Sequence, residues 1–351
     1  MRLGLNIGFV LGGQDHQDHL KLVREAEQLG YSVAWAAEAY GSDVPTVLAW
    51  LAAQTSTIDV GAAVFQIPAR TPAMTAMTAA TLDTLSGGRF RLGLGVTGPQ
   101  VSEGWHGVRF DKPLARTREY VEIVNAAMRR ETVAYDGKHF TLPLPDGPGK
   151  ALKLSIHPVR EHVPVYLAAI GPKNLELAGE IADGWLGIFN DPSYLGEQLS
   201  QITAGRAKAG RSDLEGFDVV ASVPTVVGDD LAACADPIRG YAALYVGGMG
   251  SREKNFYNAL AVRMGYADEA KEVRELYLGK RHRDAMSAVP QKFIDSVSLL
   301  GPKERIAEKL SAYAEAGVTT LTVTPFESSV DGRIATLRTV SEALDLAGIG
   351  D

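Results

Sequence analysis

A (β/α)8 barrel is the fold this sequence predicts, and three observations carry the prediction. A strand-then-helix unit repeats eight times along 351 residues. The helices open on proline or a capping residue and many close on glycine. No G-x-G-x-x-G opens the first helix, as a doubly wound dinucleotide-binding sheet would require. One domain spanning residues 1–351 follows.

The first unit is a strand over Leu3 to Phe9 and a helix over Asp15 to Leu29, stopped by Gly30. Val33 to Ala37 is the second strand, followed by a helix from Val44 to Thr55. The third strand, Val60 to Phe65, leads through Thr71-Pro72 into a helix with Met74, Met77, Leu82 and Leu85 as an apolar stripe expected to face the core. Ser86-Gly87-Gly88 ends it, and Phe90 to Gly95 is the fourth strand. After a helix over Leu114 to Arg130 the rhythm breaks. Thr132 to His162, with Pro143, Pro145, Pro148 and Pro158, reads as a pocket-lining insertion over one end.

The fifth strand starts at Val163, and the sixth runs from Trp185 to Phe189. A helix from Pro192 to Ala209 then leads to the seventh, Phe217 to Val226. A largely helical excursion, Asp229 to Pro290, precedes a helix from Gly301-Pro302 to Gly317. Thr320 to Thr324 is the eighth strand and Ile334 to Leu346 the last helix. The barrel thus carries insertions after strands four and seven.

Composition bounds the function. With 46% hydrophobic and 22% charged residues the chain can bury a large core. A formal charge of −7, without a long basic run, disfavours a nucleic-acid surface. Cys234 alone forms no intramolecular disulfide or multi-cysteine metal site and fits a reducing cytoplasm. No export leader is visible, and no apolar run reaches the roughly 20 residues that cross a bilayer, so no membrane partner is expected.

In such a barrel the chemistry sits at the C-terminal ends of the strands. Those ends are Phe9 to Gly13, Glu38, Val64-Phe65-Gln66, Val96-Thr97-Gly98, Ala168 to Asn174 and Phe189-Asn190-Asp191. Most are small or uncharged, which suits a flat, bulky cofactor more than side-chain acid/base catalysis. The turn Ala168-Ala169-Ile170-Gly171-Pro172-Lys173 opens a helix, whose first N–H groups and dipole make an anion site, with Lys173 beside it. The alternative is a purely structural glycine turn. Glu38 is either a proton donor or acceptor or a salt-bridge partner of a neighbouring loop. His106, after strand four, is a candidate contact to substrate or cofactor. His16 and His19 lack a third metal ligand nearby.

Several segments together resemble the bacterial luciferase-like superfamily, within it the class using the deazaflavin coenzyme F420. They are Gln66 to Pro72, Thr81 to Phe90, Leu92-Gly93-Leu94-Gly95, Ala168 to Pro172 and Ala182-Asp183-Gly184-Trp185. The resemblance covers essentially the whole chain. It implies a bulge with a non-prolyl cis peptide at Ala63-Val64 backing the deazaflavin ring, flanked by Phe65 and Gln66. It implies phosphate and tail contacts from Thr97, Gly98, Ala168, Ala169, Ile170 and Gly171. Glu38 matches the acid that the F420 glucose-6-phosphate dehydrogenases carry after strand two. Two departures, Ala39 where those enzymes have a catalytic His and Gly98 where they have a Glu, argue against sugar-phosphate oxidation.

The segment Tyr245 to Tyr257 is similar to one in actinobacterial relatives, with Arg252 and Lys254 as candidate tail or subunit contacts. The implied activity is an F420-dependent oxidoreductase acting on a small organic molecule, with Glu38 or His106 moving the proton, in a homodimer. An FMN-dependent monooxygenase and a non-catalytic deazaflavin-binding protein are the alternatives.

Overall fold

The computed structural model describes residues 1–8, 16–250 and 254–350. The predicted strand end Phe9 to Gly13, the helix start at Asp15, and Arg252 lie outside the described residues. Eight parallel strands close on themselves: β1 (Arg2–Gly8), β2 (Val33–Ala36), β3 (Asp59–Ala62), β4 (Phe90–Gly95), β5 (Val165–Ala168), β6 (Gly184–Ile188), β7 (Asp218–Val227) and β8 (Thr320–Pro325). Closure is made by β1, which pairs with β2 through Leu5 and Ala34 and with β8 through Leu5 and Val323. A short strand absent from the sequence prediction, Leu299–Gly301, pairs beside Thr225 to Val227.

Fourteen α-helices are described. In chain order they are α1 (His16–Gln28), α2 (Val44–Ala52), α3 (Pro72–Ser86), α4 (Pro99–Gly104), α5 (Pro113–Met128), α6 (Pro172–Ile181) and α7 (Pro192–Lys208). Then follow α8 (Leu231–Ala243), α9 (Phe256–Arg263), α10 (Ala267–Leu278), α11 (His282–Ala288), α12 (Gln291–Ser296), α13 (Lys303–Glu315) and α14 (Val330–Ala347). Local chemistry sets their ends. Asp43 accepts the Thr46 N–H at 3.1 Å before α2, Thr71 accepts the Met74 N–H at 3.2 Å before α3, and Gly87 at φ 68° closes α3. Among the described residues, no helix is long and apolar enough to cross a membrane.

Alternate strand residues fill the interior in layers. At the N-terminal end Arg91 reaches Asp59 at 2.8 Å and Asp218 at 3.2 Å, and Tyr166 donates to Asp218 at 3.0 Å. Above lie Val33, Trp35, Tyr166 and Val220, with the Trp35 and Tyr166 rings edge to face at 5.3 Å. Gly61 makes room for Trp35, since a Cβ there would stand 2.3 Å from the indole.

Two expectations are corrected. Met74, Met77 and Leu85 are exposed by 52%, 51% and 60%, while α3 buries Thr75, Ala76, Ala79, Ala80 and Leu82. The helix is apolar on nearly every side, so periodicity gave no phase, and close packing selected the face of small residues. The insertion at 132–162 pairs Thr132–Val133 with Leu152–Lys153 around one small hairpin, Tyr135–Asp136 with Thr141–Leu142, and packs along α5 rather than lining the mouth. Its Arg160 binds the buried Asp83 near the C-terminus of α3 at 2.8 Å and the carbonyl of Phe90, which starts β4. The segment after β4 that does reach the mouth is the one carrying α4 and His106.

Candidate active site at the barrel mouth

The β3 line breaks after Ala62 and resumes at Phe65–Gln66, which pairs with Leu94 and Gly95 of β4. Between them the Ala63–Val64 peptide bond is cis, at the position the resemblance implied. Gly95 is what lets Val64 lie there, because a Cβ on Gly95 would stand 2.4 Å from Val64 Cγ2. The bulge therefore presents Ala63 and Val64 at the mouth while Phe65 turns into the core, fully buried.

Glu38 lies beside this bulge with its side chain 6% exposed. One oxygen accepts the Gln66 N–H at 2.9 Å and an Arg70 guanidinium N–H. The other accepts Arg70 Nη2 at 3.1 Å and the Val44 N–H at 3.2 Å. Arg70 also binds Asp43 at 2.7 Å and sits 4.9 Å from the Phe65 ring centroid. Burial by itself would lower the Arg70 pKa, but Glu38 and Asp43 together push it up. Of the two readings of Glu38, the geometry matches the salt bridge to a neighbouring loop. Four donors occupy the carboxylate and leave it poorly placed to exchange a proton with a ligand. Arg70, quoted within a motif but given no role by the sequence reading, organises this corner.

His106 is brought to the same corner. Gln66 is 2% exposed and donates from Nε2 to the Ala39 carbonyl at 2.7 Å. A carbonyl only accepts, so the amide orientation is fixed and Gln66 Oε1 faces His106 Nε2 at 3.0 Å. His106 must then donate from Nε2, and its neutral form carries the free lone pair on Nδ1. Glu38, Gln66 and His106 thus form one cluster, with Gln66 as the bracket between the other two.

At the end of β4, Thr97 adopts φ 61°, a left-handed conformation rare for a β-branched residue, and Gly98 precedes α4. At the end of β5, Ala168 is half-buried and Ala169 is buried, its carbonyl accepting the Trp185 indole N–H at 2.9 Å. Gly171 caps α6, and a Cβ there would meet no atom within 4 Å, so open space faces the turn. Lys173 is 81% exposed and pairs with Glu176 at 3.0 Å on the outer surface. The cation that touches the turn is instead Arg263 at the end of α9, whose Nη2 donates to the Ile170 carbonyl at 3.1 Å. Sequence offered no sign of this, since the two lie 93 positions apart.

A closed eight-stranded barrel whose mouth combines a backbone bulge, small residues and an open helix N-terminus defines a cofactor-binding barrel enzyme. The chain belongs to the luciferase-like monooxygenase family, whose model matches residues 1–320. It is 44% identical over 330 residues to a Mycobacterium tuberculosis protein named for coenzyme F420-dependent oxidoreductase activity, covering 92% of this chain and 95% of that one. It is 31% identical over 303 residues to the 5,10-methylenetetrahydromethanopterin reductase of Archaeoglobus fulgidus, covering 85% and 86%. The solved tetrahydromethanopterin reductase of Methanopyrus kandleri superposes with a TM-score of 0.80 at 24% identity, covering 97% of each chain.

Proposed function

We propose that this protein is a coenzyme F420-dependent oxidoreductase that transfers a hydride between the deazaflavin and a small organic substrate. The observation that carries the reading is the open, small-residue turn at Gly171 after β5, on the same rim as the Ala63–Val64 bulge after β3 with β4 between them, in a chain whose relatives are named for F420. The residues present fit the cofactor: a Cβ at Gly171 would project into space that no protein atom fills. Bound there, the deazaflavin supplies a hydride donor or acceptor. Ala63, Val64 and the Phe65–Gln66 backbone back its ring. Thr97, Gly98, Ala168, Ala169, Ile170 and Gly171 line its phosphate-bearing tail, with Arg263 rather than Lys173 as the neighbouring positive charge.

His106 Nδ1 takes or gives the proton that accompanies the hydride, and Gln66 holds the ring in the tautomer that leaves Nδ1 available. Glu38 holds the bulge in place through Gln66 N–H and Arg70. The exposed Met74, Met77 and Leu85 favour a homodimer joined through α3, and the single cysteine favours a cytoplasmic location.

Titration of the purified protein with F420 and with FMN tests the reading. Micromolar or tighter F420 binding is expected; FMN binding without F420 binding would replace it with the flavin monooxygenase reading. Light scattering of a Met74→Glu/Met77→Glu variant, expected to run as a monomer while the parent runs as a dimer, tests the interface.

A further inference from the structure

Opposite the Glu38 corner the mouth is walled by aromatic rings. Phe189 follows β6 at φ 54°, a conformation uncommon for so bulky a residue, and is 2% exposed. Around it stand Tyr241 of α8 at 5.4 Å, Tyr245 of the following π-helical turn at 5.7 Å, Tyr257 of α9 at 6.2 Å and Phe293 of α12 at 5.8 Å. Tyr245 packs on Tyr241 at 4.6 Å and on Tyr257 at 4.8 Å, and Tyr241 meets Phe326, just past β8, at 5.5 Å. The wall therefore joins the ends of two barrel strands to the helices inserted after β7.

The hydroxyls are the informative part. A tyrosine set this deeply ordinarily finds a partner for its O–H. Tyr31, Tyr120, Tyr166 and Tyr313 each do so, in bonds to Leu337, Thr75, Asp218 and Asn190. The hydroxyls of Tyr241, Tyr245 and Tyr257 have no hydrogen-bond partner among the described residues, nor are they among the fully enclosed unpaired polar atoms. The three side chains are partly buried. Burial raises the pKa of all three, and the neighbouring phenols add to the effect, including Tyr40 beyond β2 acting on Tyr245. Each remains a neutral O–H donor through the physiological range.

We propose that Tyr241, Tyr245 and Tyr257, backed by Phe189 and Phe326, form the substrate wall and select an uncharged, flat organic molecule carrying a carbonyl-type hydrogen-bond acceptor. The stacked rings receive the apolar body and the free hydroxyls receive the acceptor atom. None of the five side chains carries a charge to offset that of a phosphorylated or carboxylated substrate, whose desolvation against aromatic rings is costly. The proposal takes only the location of the site from the oxidoreductase reading.

The test is calorimetric titration of F420-loaded and F420-free protein with three probes: 1-acetonaphthone, naphthalene and glucose 6-phosphate. The parent is expected to bind 1-acetonaphthone more tightly than naphthalene and glucose 6-phosphate more weakly than either. In Tyr241→Phe/Tyr245→Phe/Tyr257→Phe, which keeps every ring, 1-acetonaphthone affinity should fall by about fivefold to 25-fold, about fivefold for each of the one or two neutral hydrogen bonds its carbonyl accepts, while naphthalene is unaffected. Should the triple variant fail to fold, the three single variants carry the same comparison, the largest loss being about fivefold. Equal 1-acetonaphthone affinity for parent and variants, or tighter binding of glucose 6-phosphate, overturns the proposal. F420 affinity is measured on the same samples by absorbance. Normal F420 binding with no hydroxyl dependence removes the wall alone; hydroxyl dependence without F420 binding removes the cofactor reading alone.

Discussion

Replacing Arg70 with methionine separates a structural from a catalytic Glu38. The substitution removes two N–H donors from a carboxylate that is 6% exposed, together with a contact to Asp43 and the packing over Phe65. Breaking a buried pair from one side costs about 3–5 kcal/mol, because an uncompensated charge stays behind. Glu38 keeps the Gln66 and Val44 N–H groups, which holds the loss to the lower end of that range. Asp43 is 55% exposed and adds little. The cation–π contact adds about 0.5–1 kcal/mol. A total of about 3.5–4 kcal/mol is expected in urea unfolding at pH 7, with an unchanged m-value. The companion variant Glu38→Gln/Arg70→Met, which removes the stranded charge, should recover at least about 1 kcal/mol of this. A loss under about 1 kcal/mol for Arg70→Met, or no recovery in the double variant, would refute the reasoning. Turnover then separates the roles: Glu38→Gln should keep its rate within about threefold, whereas a proton-transferring carboxylate would lose about a hundredfold or more.

Three further outcomes follow from the same geometry. His106→Gln should lower kcat by about a hundredfold and Gln66→Leu by a smaller factor; a pre-steady-state rate equal to the parent's would dismiss His106 as the proton carrier. Gly171→Val should weaken F420 binding by about tenfold with an unchanged Tm, because the added Cβ meets no protein atom, and unaltered affinity would return the turn to a structural role. Glu119 accepts the N–H groups of Lys138, His139 and Phe140 at 2.9, 2.8 and 3.1 Å. Burial pushes its carboxyl up, but these bonds outweigh it and hold the pKa below the usual glutamate range. Its contribution is present above the unfolded pKa and lost as pH falls through the folded value, so Glu119→Gln should destabilise at pH 7 and much less at pH 3, read by urea midpoints at both.

Much of the barrel was legible because its elements are locally specified. Phe90 to Gly95 matches β4 end for end, and the Thr71-Pro72 entry and Gly87 stop bracket α3 as read. What failed was information that is not local. The outward turn of Met74, Met77 and Leu85 depends on how closely α3 approaches its neighbours, and the docking of residues 132–162 depends on contacts such as Arg160 with Asp83 across 77 positions and His139 with Glu119 across 20. At the site, the candidates from the second, third and fourth strand ends do converge, yet the bonds that join them were hidden. Arg70 reaches Glu38 from 32 positions away, and His106 meets Gln66, whose amide is turned by its bond to the Ala39 carbonyl. The tyrosine wall was missed because its members are spread over three helical pieces and two strand ends.

At the barrel floor Arg91 is clasped by Asp59 and Asp218 beneath the Trp35–Tyr166 pair. That end is filled by side chains, so the barrel is one-sided: the mouth is where a guest can sit. Arg91, near the start of β4, works at the opposite end of the same strand from Thr97, and the one ribbon carries both the plug and the rim.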